Sequence, residues 1–187
     1  MQFRGFLLTF LSIISGALIL YFILSRGWYP VAIINGKFLS EQVLQKESDA
    51  ALQYHLATSG EKRPLPENFS QELRKNILDS LIEHRLIYGS LKSQLGNSFG
   101  ERVSQKLTNL KIDRNKTEEA ASLLYGLTFE EFENIVLIPQ AAKEILGEQV
   151  TSNQENVQDW IKKSRANASV IILDLDFAWE DGRVMLR

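Results

Sequence analysis

Three patterns of apolar and polar positions follow one another along this chain. The first is a solid apolar run: Phe6 to Leu24 (FLLTFLSIISGALILYFIL) holds no charged residue and is bracketed by Arg4 and by Arg26, Trp28 and Tyr29. As a helix at 1.5 Å per residue its nineteen residues reach roughly 28 Å, against a hydrocarbon core of about 30 Å. The Trp–Tyr pair stands where aromatic side chains favour the headgroup layer. The alternative is a cleaved signal peptide, which has a shorter apolar core and small residues at its cleavage site, whereas this run ends in Tyr21-Phe22-Ile23-Leu24. The pattern predicts a transmembrane anchor over 6–24, after a short N-terminus at 1–5 and before a stalk at 25–30.

The second pattern is a helical stripe that repeats through the middle of the chain. It is introduced by two short strands, Val31–Ile34 and Lys37–Leu39, around Asn35-Gly36, both of which accept positive φ cheaply. Ser40 is placed to cap a helix from Glu41 to about Thr58. Gly60 to Glu67 reads as a loop, and Asn68 with Gln71 as a capping box. The strongest stripe runs over Phe69–Leu95, through Leu73, Ile77, Leu81 and Leu91, and Gly96 to Gly100 is read as the break after it. Shorter helices are predicted over 101–110 and about 117–125, with Gly126 as the stop. Thr128 and Glu131 make another capping box for a helix from Phe129 to about Leu146, kinked by Pro139 and ended by Gly147. Ser152 with Glu155 opens a last helix to about Arg165.

The third pattern is alternation. Ile171, Leu173, Leu175, Phe177 and Trp179 occupy one side of a predicted half-buried strand, with Asp174 and Asp176 on the other. Glu180-Asp181-Gly182 turns the chain into Arg183–Arg187. The fold class is therefore mainly α, with a transmembrane helix first and short β elements at both ends of the helical body. The two ends are expected to meet. The predicted division is a helical domain over 31–166 and a C-terminal β-hairpin over 167–187.

Composition narrows the function. Lys and Arg number 21 against 23 Asp and Glu, and a net charge of −2 without basic clusters excludes a general nucleic-acid binder. Cysteine is absent, which removes disulfides, thiolate metal sites and cysteine nucleophiles. Arg4 and the terminal amine stand against Arg26 and, further out, Lys37, a difference of one charge at most, and this leans to a cytoplasmic N-terminus with the main domain exported.

The order of elements and three segments resemble the N-terminal chaperone domain of the SurA, PpiD and PrsA family of exported peptidyl-prolyl isomerases. The segments are Val31 to Ser40, Ile77 to Ile87, and Gly126-Leu127-Thr128-Phe129-Glu130-Glu131-Phe132, and the resemblance spans 31 to about 166. Family members usually continue into a parvulin domain, for which this chain has no counterpart before it stops at Arg187. The resemblance implies chaperone or scaffold action at the periplasmic side of the inner membrane, without isomerase activity.

Candidate chemistry is sparse. His55 and His84 lack the spacing of a metal pair, and Asp174 with Asp176 reads as a solvated strand face. No catalytic residue, cofactor or metal is expected. Phe69, Phe99, Phe129, Phe132 and Trp160 are the aromatics that a client-binding surface would use. The expected function is a membrane-anchored, extracytoplasmic protein that holds unfolded or membrane-associated polypeptides by apolar contacts. The alternative is a structural interaction subunit of a membrane complex.

Overall fold

The computed structural model describes residues 27–60, 65–152 and 154–187. The anchor predicted over Phe6–Leu24 lies outside the described residues, and among those no helix is long and apolar enough to cross a membrane. The described chain is mainly helical with short strands at both ends, as the periodicity predicts.

Strands β1 (Pro30–Ile34) and β2 (Lys37–Ser40) form an antiparallel hairpin in which Asn35 and Gly36 both take positive φ, 48° and 77°. Helices α1 (Glu41–Ser59) and α2 (Phe69–Leu95) follow. Next come α3 (Ser98–Asn109) and α4 (Arg114–Tyr125), the latter ended by Gly126 in the left-handed conformation. A short α5 (Phe129–Phe132) runs through a π turn (Glu133–Leu137) into α6 (Ile138–Ser152), and α7 (Val157–Ala166) completes the helical body. Strand β3 (Val170–Ile172) then pairs antiparallel with β1, giving a sheet of order β2-β1-β3. The two ends of the domain thus meet, and β4 (Phe177–Glu180) and β5 (Arg183–Leu186) form a second hairpin over Asp181-Gly182.

Helix α2 is the spine because its stripe serves two cores in succession. Leu78, Leu81 and Ile82 pack with Ala32, Leu39, Phe177 and the rest of the β end, and Ile87 and Leu91 pack with Phe99, Ile145 and Leu146. Helices α1 and α5 are joined at the surface by an ion pair of Lys46 with Glu131. Glu131 also closes the predicted capping box with Thr128. The Lys46 ammonium, with help from the Thr128 backbone N–H, pulls the Glu131 carboxyl down to about 2.

Several local expectations are corrected. Ser40 and Asn68 occupy N-cap positions but neither side chain accepts a capping hydrogen bond, and Asn68 is already in a helical conformation. The break after α2 is confined to Gly96-Asn97, since α3 begins at Ser98 and contains Gly100. Helix α4 starts at Arg114, capped by Asp113. Gly147 lies inside α6, and Ser152 is its last residue, so the cap of α7 is Asn156, whose side chain accepts from the Gln158 N–H at 2.8 Å. Pro139 does not kink a single helix. Its missing N–H and crowded ring fall just after the π turn, where Ile138 N–H reaches back five residues to the Glu133 carbonyl.

The largest correction is at the C-terminus. The segment 171–179 is no continuous strand, because it bends between Ile172 and Phe177 and feeds two different sheets. Phe177 is fully buried, whereas Ile171, Leu173 and Leu175 are exposed and Val170 and Ile172 face the core instead.

Candidate client-binding clefts

Two open clefts flank α2. The first lies at the seam where the chain ends meet, between the β1–β2 tip, the middle of α2, and α7. It measures about 480 Å³, with Ile34, Leu86 and Ala168 on its apolar side, Trp160 beside them, and Lys37 and Arg85 at its polar margin. Gly89 of α2 also lines it, and a Cβ added there would meet no atom within 4 Å. The helix therefore leaves the cleft open through the lack of one side chain. Lys163 at the same margin is offset by Glu155 at 2.5 Å, so the charge left over is positive.

The second cleft, about 530 Å³, lies between the end of α2, α3 and the π turn. Tyr88, Phe99, Leu107 and Ile138 give it an apolar lining, with Lys92 and Glu133 as charged members. The Tyr88 and Phe99 rings meet edge to face, 4.7 Å between centroids. Gly100 of α3 repeats the role of Gly89, because a Cβ there also meets nothing within 4 Å. Both clefts are open to solvent and of mixed apolar and polar lining.

The five aromatics singled out from the sequence do not share one surface. Trp160 lines the first cleft, and Phe99, only 5% exposed, lies at the second as part of the core. Phe69 is half-buried against the His55 ring, 4.6 Å between centroids. Phe129 lies under the Arg114 guanidinium at 4.6 Å, and Phe132 is 5.4 Å from Tyr125, which stacks on Tyr54. Sequence reasoning missed Gly89 and Gly100. The available signal was a glycine inside a strong helical stripe, which weakens a helix relative to alanine and therefore needs a reason.

The charged groups are mostly structural. Asp174 is not on a solvated face: it accepts from Arg74 at 2.9 Å, and the same guanidinium binds both oxygens of the buried Glu41 at 2.9 and 2.6 Å. This triad joins α1, α2 and the C-terminal segment. Asp176 is exposed, its backbone N–H turned back to the Asp174 carboxylate at 3.0 Å. Burial lowers the His84 pKa, favouring the neutral ring. Among the described residues no group of three or more His, Asp or Glu could hold a metal ion.

Glu47 is the exception, a half-buried carboxyl on α1. Burial pushes its pKa up to about 7, partly opposed by the charge of Arg85. A carboxyl whose folded pKa is raised binds its proton more tightly when folded, so its contribution is fully present below pH 4.5 and is lost as pH rises through 7. Glu47→Gln removes that dependence. It is expected to be more stable than the parent by about 1–3 kcal/mol at pH 8 and level with it at pH 4 to 5, measured by urea unfolding at both pH values. Equal differences at the two pH values would show that Glu47 is ionised without penalty.

Compared with protein-family models, curated proteins and solved structures, the chain finds no match.

Proposed function

We propose that this is a membrane-anchored, extracytoplasmic chaperone-like protein that holds unfolded or membrane-associated client segments by apolar contact, with the resemblance to the SurA, PpiD and PrsA chaperone domain as its wider frame. The observation that supports it most is the pair of open clefts on one spine helix, each left unfilled by a helical glycine and each bounded by aromatic side chains. Such open clefts, with a mixture of apolar and small polar side chains along their walls, suit side chains of many shapes. The work requires no covalent step. The positive margin of the first cleft favours segments in which an acidic residue lies near an apolar one.

The experiment is suppression of aggregation. Full-length protein in lipid nanodiscs is mixed with several unrelated proteins diluted from denaturant, and light scattering is followed. A holding activity delays aggregation of most of them at modest affinity. Indifference to all of them, together with tight binding of one folded partner, would point instead to a fixed subunit of a membrane complex.

A further inference from the structure

We propose that the outer face of the β2-β1-β3 sheet, together with Trp28 and Tyr29, rests on the lipid surface and seats the domain against the bilayer. The inference rests on the reading of Phe6–Leu24 as an anchor. The sheet register puts Phe38, Ile33 and Ile171 in one row across the three strands. The row is turned away from the core: Phe38 is 67% exposed and Ile171 53%. Beyond β3 the chain exposes two more apolar side chains, Leu173 and Leu175, the latter 81% exposed.

The position of this face relative to the chain entry gives it an occupant. Leu173 N–H donates to the Val31 carbonyl at 2.8 Å, so Leu173 lies at the end of β1 where the chain enters the domain, with Leu175 two residues further on. That entry is fixed by two bonds, Glu41 N–H to the Tyr29 carbonyl at 3.0 Å and Gln42 N–H to the Gly27 carbonyl at 2.8 Å. Exposed Trp28 and Tyr29 stand at the same end. Only Ser25 and Arg26 separate Leu24 from Gly27. Three residue steps span at most about 11 Å, against a headgroup layer of about 5–8 Å on one side of a bilayer. An anchor ending at Leu24 therefore keeps these apolar side chains within reach of the layer that Trp and Tyr favour. Asp174 shares Arg74 with Glu41, so this triad keeps one negative charge and exposed Asp176 adds a second at the margin, while the row itself carries no charged residue. The contact is apolar and does not depend on anionic lipid.

The absence of cysteine lets a single introduced thiol report on one position. Leu175→Cys and Phe38→Cys are made in the full-length protein, with Leu123→Cys as the control. Leu123 is exposed on α4, and its carbonyl accepts from Gln53, about 18 Å along α1 from the chain entry. Each variant carries a nitroxide and is reconstituted in phosphatidylcholine vesicles, and collisions with lipid-soluble oxygen and with an aqueous nickel chelate are compared. Oxygen should dominate several-fold at 175 and 38, and the chelate at 123. Equal water access at all three positions, in protein that resists carbonate extraction, overturns the seating and leaves the anchor standing. Loss of the protein in carbonate overturns the anchor and the seating with it. Shielding at 175 and 38 from both agents that grows with protein density assigns the face to a second copy and also overturns the proposal.

Discussion

Ending the chain after Asn167 is expected to abolish cooperative folding. The lost segment supplies β3, the partner of β1, and the fully buried Phe177 and nearly buried Val184 of the first core. It also removes Asp174 from Arg74, and the Gly182 carbonyl and Val184 N–H from the Arg165–Asp79 pair. Emptying the Phe177 position alone costs about 3–5 kcal/mol, and typical domains have only about 5–15 kcal/mol of total stability. The remaining β1–β2 hairpin would expose Ala32 and Ile34, and a two-stranded hairpin is marginal in water. The truncated chain should bind an apolar dye and melt without a sharp transition. Phe177→Ala should stay folded and melt lower by about 10 °C, at about 2–4 °C per kcal/mol for a domain of this size. A truncated chain that melts cooperatively at the parent temperature would make the C-terminal segment an appendage.

The second large effect is expected at Arg165. Its guanidinium donates to both Asp79 oxygens at 2.9 Å, to Glu83 at 2.9 Å and to the Gly182 carbonyl at 3.2 Å. One α7 side chain therefore ties α2 to the turn of the second hairpin. Asp79 in turn accepts the Val184 N–H at 3.0 Å. Breaking a buried pair from one side costs about 3–5 kcal/mol, and the partial exposure of Asp79 reduces this to about 2–3 kcal/mol for Arg165→Met. Arg165→Lys should recover only part of it, because an ammonium cannot reproduce the fork. The loss should also depend on pH. Burial alone would raise the Glu83 carboxyl, but hydrogen bonds from Arg165 and Lys143 outweigh it and hold the group below its usual range. A depressed carboxyl contributes stability above its unfolded pKa and loses it as pH falls through the lower folded value. The gap between parent and Arg165→Met in urea unfolding should thus narrow as pH drops below about 4. A gap that is constant with pH would assign the effect to lost packing of the arginine stem.

The sequence made the helical body legible because its signals agreed across levels. The Phe69–Leu95 stripe is long enough for its period to be unambiguous, and its bounds match the observed helix. Asn35-Gly36, Gly126 and Asp181-Gly182 each mark a positive-φ position that few other residues accept. Short elements were harder. Both sides of β3 are apolar, so alternation gave two faces without saying which one meets the core. Gly100 and Gly147 resembled stops, yet α3 and α6 bury enough apolar surface around them to override the local cost. The clefts were invisible for a related reason. They depend on the relative placement of distant segments such as Ile34, Gly89 and Trp160, and on two glycines whose meaning is the space beside them.

That space allows the central claim to be tested without harming the fold. Gly89→Phe and Gly100→Phe each place a ring where a Cβ meets nothing, in helices that gain propensity when glycine is replaced. The doubly substituted full-length protein should melt no lower than the parent. In nanodiscs it should fail to delay the aggregation of unfolded proteins that the parent holds, because both clefts are filled. A doubly filled protein that is equally stable and suppresses aggregation as well as the parent would contradict the assignment of client binding to these clefts.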